Sequence, residues 1–333
     1  MADLRIGLIG LGMMGRHHAR VIREVEGVTL AGVADSYGDP HGVAGDLAIS
    51  ASVDELIDLG IDGAVVAVPT FLHEEVALRL AEAGVHALVE KPIAGDVESG
   101  TRVVEAFERA GLVGAVGHIE RFNPALLSLR ERIEAGELGE VYQIATRRQG
   151  PFPARIADVG VVKDLATHDI DLTSWLARSG FASVSAHTAL RSGREFEDMV
   201  SFTARLRNNV ITNHLVNWLS PMKERVTVVT GEFGSFVADT ISGDLTFYEN
   251  GTARTEWESV MAFRGVSEGS VLRYALTKRE PLRVEHEAFR DAILGRENAP
   301  ARIVTMREGL ENVRVAEAVL ASAEQSATVV LPA

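Results

Sequence analysis

The sequence predicts an α/β protein in which a doubly wound parallel sheet is followed by a second, strand-rich α/β domain. Up to about residue 120, short apolar runs alternate with segments of helical period, the pattern of a parallel sheet covered by helices on both faces. A glycine-rich turn joins the first run to the first helical segment. Beyond Glu140 the texture changes to longer strands of alternating polarity.

The apolar runs of the first domain are Leu4–Ile9, Val28–Ala34, Ala64–Val68, Val85–Val89 and Leu112–Val116. Between the first two, Met14, His18, Val21, Ile22 and Val25 recur at helical spacing, giving that helix one face to pack on the sheet. Ser52-Val53-Asp54-Glu55 reads as a capping box, Gly84 and Gly111 stand where helix C-caps belong, and Asn123-Pro124 reads as an N-cap followed by proline at the first helical position. The second domain opens with strands at Val141–Arg148, Val184–Leu190, Met199–Arg207 and Val210–Leu219. Asn208-Asn209 and Asn250-Gly251 each suit a tight hairpin, so part of this sheet is antiparallel. A helix from about Asp164 to Ala177 interrupts the strands. Helices at roughly Glu285–Leu294 and Met306–Ala323 close the chain, the second opened by the capping-box pattern Thr305-Met306-Arg307-Glu308. The expected division is residues 1–120 and 121–333, with the last helices able to pack back on the first domain.

Composition narrows the chemistry. With 46% hydrophobic and 24% charged residues the chain matches a folded globular protein rather than a disordered or fibrous one. The 33 basic and 47 acidic side chains leave a net charge of -14, which repels a polyphosphate backbone, so nucleic acid is not an expected partner. The absence of cysteine removes disulfides, thiolate nucleophiles and cysteine-held metals together. No HExxH spacing occurs, and no metal is expected. Met1-Ala2-Asp3 runs into a strand without signal-peptide features, and no apolar run approaches spanning length; the expected location is the cytoplasm, away from membrane.

Gly10-Leu11-Gly12-Met13-Met14-Gly15 follows the first strand and opens the first helix, the context that the dinucleotide fingerprint of a Rossmann βαβ unit requires. The first glycine permits the tight turn, the second lets the backbone approach a pyrophosphate, and the third allows close helix-to-strand packing, while the helix N-terminus supplies unpaired N–H groups. Asp35 ends the second strand, 20 residues after Gly15. A carboxylate there accepts hydrogen bonds from the ribose hydroxyls of NAD and repels the 2′-phosphate of NADP, so NAD is the expected cofactor, although Ser36 and its neighbours leave room for a phosphate. Without its strand, helix and acid, the same glycine pattern would be only a turn.

In a doubly wound sheet the ligand lies outside the carboxyl ends of the strands. Pro69-Thr70 follows the third run with His73 a turn later, Glu90-Lys91-Pro92 follows the fourth, and Gly117-His118 follows the fifth. A lysine at the nicotinamide end feels the positive ring of NAD+, which favours its neutral form and prepares it to polarise a hydroxyl or carbonyl; taken alone, a lysine is more often a solvated surface charge, and the place of Lys91 after a buried strand and before a proline favours function. In the second domain Asp164 and His168 stand four apart, on one helix face, and offer a carboxylate and an imidazole for proton removal from a carbinol. Spacing alone favours a plainer assignment, with Asp164 capping the helix and His168 a satisfied, partly buried histidine, while Asp169 and Asp171 fit ordinary helix-surface acids equally well.

The Gly10 loop, the Glu90-Lys91-Pro92 turn and the Asp164…His168 helix together resemble the glucose-fructose oxidoreductase/inositol dehydrogenase/MocA family, across both domains. The resemblance implies a dinucleotide domain followed by an α/β domain with a large open, mostly antiparallel sheet that often forms the oligomer interface and one wall of the substrate cleft. It implies Lys91, Asp164 and His168 as the catalytic group, and Gly10, Gly12, Met13, Met14, Gly15, Asp35, Pro69, Thr70, His73, Glu90 and Lys91 around the cofactor. Family members oxidise a secondary hydroxyl of a sugar or cyclitol, or reduce the corresponding ketone.

Gly117-His118-Ile119-Glu120-Arg121-Phe122-Asn123-Pro124 and the stretch from Arg148-Gln149-Gly150-Pro151-Phe152-Pro153 through Asp158-Val159-Gly160-Val161 are similar to the nucleotide-sugar branch, UDP-N-acetylglucosamine 3-dehydrogenase-like members in particular. The substrate candidates are His118, Arg121, Asn123, Arg148, Asp164 and His168, the arginines because guanidinium matches a phosphate or carboxylate bidentately. Rival readings are a free-sugar or myo-inositol dehydrogenase, a deoxysugar ketoreductase, and a non-catalytic protein that senses NAD or a sugar. An exposed sheet face needs cover, so a homodimer or homotetramer is expected.

Overall fold

The computed structural model describes residues 3–152, 159–251, 267–296 and 301–332. Pro153 through Asp158, in the stretch that follows Arg148, lie outside the described residues. The chain forms two compact units, Met1–Phe122 with Glu280–Arg314, and Asn123–Arg279 with Val315–Ala333.

The first unit is built on six parallel strands: β1 (Leu4–Ile9), β2 (Val28–Ala34), β3 (Ile49–Ser50), β4 (Gly63–Val66), β5 (His86–Glu90) and β6 (Gly114–Gly117). Their order is β3-β2-β1-β4-β5-β6. Every residue of β4 is buried, because helices cover both faces, and this is why these strands read as unbroken apolar runs. The order reverses between β1 and β4, which makes the carboxyl ends of these strands the rim where a ligand binds.

Helices α1 (Met13–Glu24), α2 (Val53–Asp58), α3 (His73–Glu82) and α4 (Val97–Ala110) connect the strands. Ser52 caps α2 by accepting from the Glu55 N–H, while the Glu55 side chain reaches back to the Ala51 N–H. Gly111 ends α4 at φ 65°, a left-handed position that suits glycine. From the far end of the sequence, a helix at Pro281–Ile293 sends Phe289 into the core beside Ile6, Leu8 and Ile22. The helix Met306–Gln325 begins in this unit and ends in the other. Its start is a reciprocal capping box, with Thr305 N–H donating to Glu308 Oε2 at 2.9 Å and Glu308 N–H to Thr305 Oγ1 at 3.2 Å.

The described residues of the second unit hold nine strands: β7 (Val141–Pro151), β8 (Phe181–Ala189), β9 (Met199–Leu206), β10 (Ile211–Asn217), β11 (Leu219–Gly231), β12 (Gly234–Asp239), β13 (Asp244–Gly251), β14 (Ser267–Arg273) and β15 (Val329–Val330). They lie in the order β14-β13-β12-β11-β7-β10-β9-β8-β15, with β7 and β10 parallel and every other described pair antiparallel. Helices α5 (Pro124–Glu134) and α6 (Thr167–Ala177) contribute to one core with the inner face of the sheet, including Leu126, Leu129, Ile144, Ile170, Phe202 and Phe236. The buried and exposed residues of β9 alternate, as on a sheet covered on one side. His214 on the inner face sits between the hydroxyls of Thr146 and Thr212 and stacks on Phe202; burial pushes its imidazole down to about 3, so it is neutral.

Two local expectations are corrected. Asn208-Asn209 does make the turn between β9 and β10, with Asn209 at φ 69°, but Asn250-Gly251 stays in β13, paired with Glu268 and Ser267 of β14. The strands approach closely there, since a Cβ on Gly269 would stand 2.5 Å from the Glu249 carbonyl oxygen. Asp169 and Asp171 are buried rather than on the helix surface, because α6 is enclosed on most of its circumference. No helix of the described residues is long and apolar enough to cross a membrane.

Candidate active site

The three fingerprint glycines answer to different constraints. Gly10 lies at φ 97°, and a Cβ there would stand 2.6 Å from the Ala67 carbonyl oxygen. A Cβ on Gly15 would stand 2.0 Å from the Gly10 carbonyl oxygen, so α1 can pack against the turn only without a side chain. Gly12, the N-cap residue of α1, has nothing within 4 Å of its Cβ position. Tight packing on either side and open space at the centre is the shape of a pyrophosphate cradle, and the first N–H groups of α1 face it. Asp35 ties β2 to this turn: its Oδ2 accepts from the Leu11 N–H and its Oδ1 from the Tyr37 N–H, both at 2.7 Å. The carboxylate thus stands half-buried beside the cradle, with lone pairs left to accept further hydrogen bonds. Met13 is exposed and Met14 half-buried at the mouth of the turn.

At the end of β4, Pro69 and Thr70 lead into a short helical turn. His73 is buried there, one ring nitrogen 2.8 Å from the Pro92 carbonyl oxygen and the other 2.9 Å from that of Val68. Its ring fastens the β4 turn to the segment after β5, so both nitrogens are occupied by backbone rather than presented to a cofactor. Burial holds this imidazole below its ordinary value.

Lys91 follows β5 directly and is half-buried. The preceding carboxylate, Glu90, meets His18 Nε2 at 2.8 Å and accepts the Lys91 backbone N–H at 3.1 Å. Its paired residue on β6 is Gly117, where a Cβ would lie 3.2 Å from Glu90 Oε2. Burial alone would raise this carboxyl, but the hydrogen bond and charge of His18, the Lys91 charge and the Lys91 N–H bring it below the ordinary carboxylate value. In the sequence His18 counted only as part of a packing stripe; its buried place in the helix gave no sign of a carboxylate partner 72 residues away.

In the second unit, α6 is preceded by a π-helical turn, Val162–Ala166, a geometry enriched at functional sites. Asp164 lies in that turn and His168 in the first turn of α6, both half-buried. The helix start is capped by Glu197, whose backbone carbonyl accepts from the Val161 N–H and whose Oε1 accepts from the Val162 N–H; Asp164 is therefore not the cap. Thr167 donates its hydroxyl back to the Lys163 carbonyl, which helps to join the wide turn to the regular helix.

The candidate substrate residues are engaged inside their own units. Arg121 pairs with Glu308 at 2.6 Å, and Arg148 pairs with Asp169 at 2.9 Å with both side chains buried. Breaking a buried pair of the second kind leaves a charge uncompensated at a cost of about 3–5 kcal/mol. Asn123 caps α5 through the Ala125 N–H and donates to the Thr240 carbonyl. His118 is buried. Among the described residues no group of three or more metal-binding side chains is assembled.

A parallel sheet of this order, with its glycine cradle and its acid at the end of β2, defines a dinucleotide-binding α/β protein. Residues 4–118 match the family described as "Oxidoreductase family, NAD-binding Rossmann fold", and residues 126–237 match "GFO/IDH/MocA C-terminal domain". The chain belongs to the Gfo/Idh/MocA family of oxidoreductases. It is 31% identical over 296 residues to UDP-N-acetylglucosamine 3-dehydrogenase of Acidithiobacillus ferrooxidans, covering 88% of this chain and 90% of that one. A solved structure of that enzyme superposes with a TM-score of 0.82 at 26% identity, over 98% of this chain and 99% of that chain. Scyllo-inositol 2-dehydrogenase (NAD(+)) of Bacillus subtilis is 33% identical over 195 residues, 56% of this chain and 57% of that protein.

Proposed function

We propose that the protein is a cytoplasmic, NAD-dependent dehydrogenase acting on a secondary alcohol of a nucleotide sugar, as a UDP-N-acetylhexosamine 3-dehydrogenase does. The observation that carries this reading is the rim of the first sheet, where Gly12, Asp35 and Lys91 stand at the carboxyl ends of β1, β2 and β5. The relative that matches along 88% of the chain acts on a UDP-sugar, which favours that substrate class over free inositol.

Gly10 to Gly15 would hold the pyrophosphate, Asp35 the adenosine ribose, and Pro69, Thr70, Glu90 and Lys91 the nicotinamide half. When bound, NAD+ supplies a hydride acceptor at nicotinamide C4. His168 takes the proton of the substrate hydroxyl, oriented by Asp164, and Lys91 donates a hydrogen bond to the same oxygen as negative charge develops on it.

The test is a panel of UDP-N-acetylglucosamine, other UDP-sugars, free sugars and inositols with NAD+ or NADP+, followed by NADH or NADPH absorbance. Turnover is expected with UDP-N-acetylglucosamine and NAD+. Turnover on inositol alone would overturn the substrate class, and bound dinucleotide with no turnover on any member would leave a sensing protein.

We also propose a homodimer or homotetramer. The outer face of the second sheet presents Ile211, Leu215, Val226, Val228, Tyr248 and Val271, all half-buried or exposed, with no described helix over them. Sedimentation velocity at micromolar concentration should give a dimer or tetramer, and a monomer would overturn this.

A further inference from the structure

Behind Lys91 lies a cluster that the reaction scheme does not use. His18 of α1, fully buried, places Nε2 on Glu90 and Nδ1 at 2.9 Å from Nε2 of His286. His286 and its neighbour Glu285, on the helix Pro281–Ile293, are 4% and 2% exposed. Neither carboxyl oxygen of Glu285 has a hydrogen-bond partner among the described residues. Four ionisable side chains from three elements thus lie together behind the strand end, three of them buried, where the burial is costly.

The geometry fixes the order of the chain. A carboxylate can only accept, so His18 carries a proton on Nε2 toward Glu90 and meets His286 through Nδ1. Burial and the charge of His18 hold His286 well below the ordinary imidazole value, leaving it neutral. Burial and the nearby Glu90 charge hold Glu285 well above the ordinary carboxyl value, so one negative charge resides at the cluster and it lies on Glu90. Other charged groups surround it. His73 from the β4 turn feels Glu90, and residues 119–122, packed against the Pro281–Ile293 helix, bring Glu120 and the Arg121–Glu308 pair.

We propose that His18 and His286 are positioning residues for Lys91, acting through Glu90: the two imidazoles in series hold the Glu90 side chain at the end of β5 beside the lysine. The proposal rests on Lys91 as the catalytic lysine for its functional meaning, but not for its test. Without His18 the half-buried Glu90 loses its hydrogen-bond donor and Lys91 loses a fixed negative neighbour, which leaves its amine more reactive toward an acylating reagent.

The experiment is competitive acetylation by acetic anhydride across a pH series, read at Lys91 by peptide mass spectrometry with exposed Lys223 as the internal reference. At neutral pH the Lys91 rate should rise at least threefold in His18→Leu relative to Lys223. It should return most of the way to the wild-type rate in His18→Gln, whose amide can still donate to Glu90. His286→Leu should move it in the same direction by less. NADH binding by fluorescence checks that each variant is folded. An unchanged Lys91 rate in folded His18→Leu and His286→Leu overturns the proposal, as does a rise that His18→Gln does not reverse. If the rates shift as expected while Lys91→Ala retains turnover, the catalytic reading of Lys91 fails and the coupling stands.

Discussion

Replacing Lys91 with alanine is expected to lower kcat by about 10²–10⁴-fold, the range for a positioned acid, base or charge stabiliser, with the dinucleotide Kd within about threefold. The side chain follows the strand that ends in a half-buried, ionised Glu90, at the rim that also carries the glycine cradle. In the proposed scheme, loss of the amine removes a hydrogen bond that strengthens as the carbinol oxygen becomes negative, so the effect is expected on kcat more than on KM. His168→Ala should be of similar size, and the double variant little worse than either single one, because groups that act as a unit do not add. Lys91→Arg separates two roles. A guanidinium keeps the charge but does not give up its proton. Turnover well above that of Lys91→Ala would make the lysine a charge stabiliser and leave His168 as the base, whereas equal loss would make Lys91 the base. Wild-type turnover in Lys91→Ala would end the scheme.

The parts of this molecule that were legible in the sequence are those whose cause is local. A glycine at φ 97° after a buried strand, a Thr305 hydroxyl three residues before Glu308, and a proline after Asn123 each carry their reason within a few residues. The two-domain texture was legible because burial on both faces and burial on one face leave different periods. What could not be read is pairing across the chain. Arg121 and Arg148 looked like anion anchors, yet their carboxylates stand 187 and 21 residues away. His18 looked like packing because the sequence cannot show that Glu90 and His286 meet it inside the fold. Asn250-Gly251 carried the signal of a turn, and the pairing of β14 with β13 overrode it.

The glycine turn gives the second large effect, and it splits in a way that a generic fingerprint would not. Gly15→Ala sets a methyl group 2.0 Å from the carbonyl oxygen of Gly10. Gly10 cannot retreat, since it is already at φ 97° with its own Cβ direction closed by Ala67. The turn or the first turn of α1 must shift, at a cost of about 3 kcal/mol, the upper end for overpacking. At about 2.1 cal/mol/K of unfolding entropy per residue over 333 residues, that corresponds to a fall in Tm of roughly 4 °C, with dinucleotide binding lost as well. Gly12→Val behaves differently. Its N-cap residue has extended backbone, which a β-branched residue tolerates, and its Cβ direction is empty, so the unliganded Tm should stay within about 2 °C. The same side chain fills the space through which the backbone approaches a pyrophosphate, and NADH affinity should fall by about 100-fold or more. Thermal melts without ligand, paired with NADH fluorescence titrations, read both variants. A stable Gly12→Val that still binds NADH tightly would mean that the cofactor does not lie across this turn, and the assignment of the rim as the hydride site would fall with it.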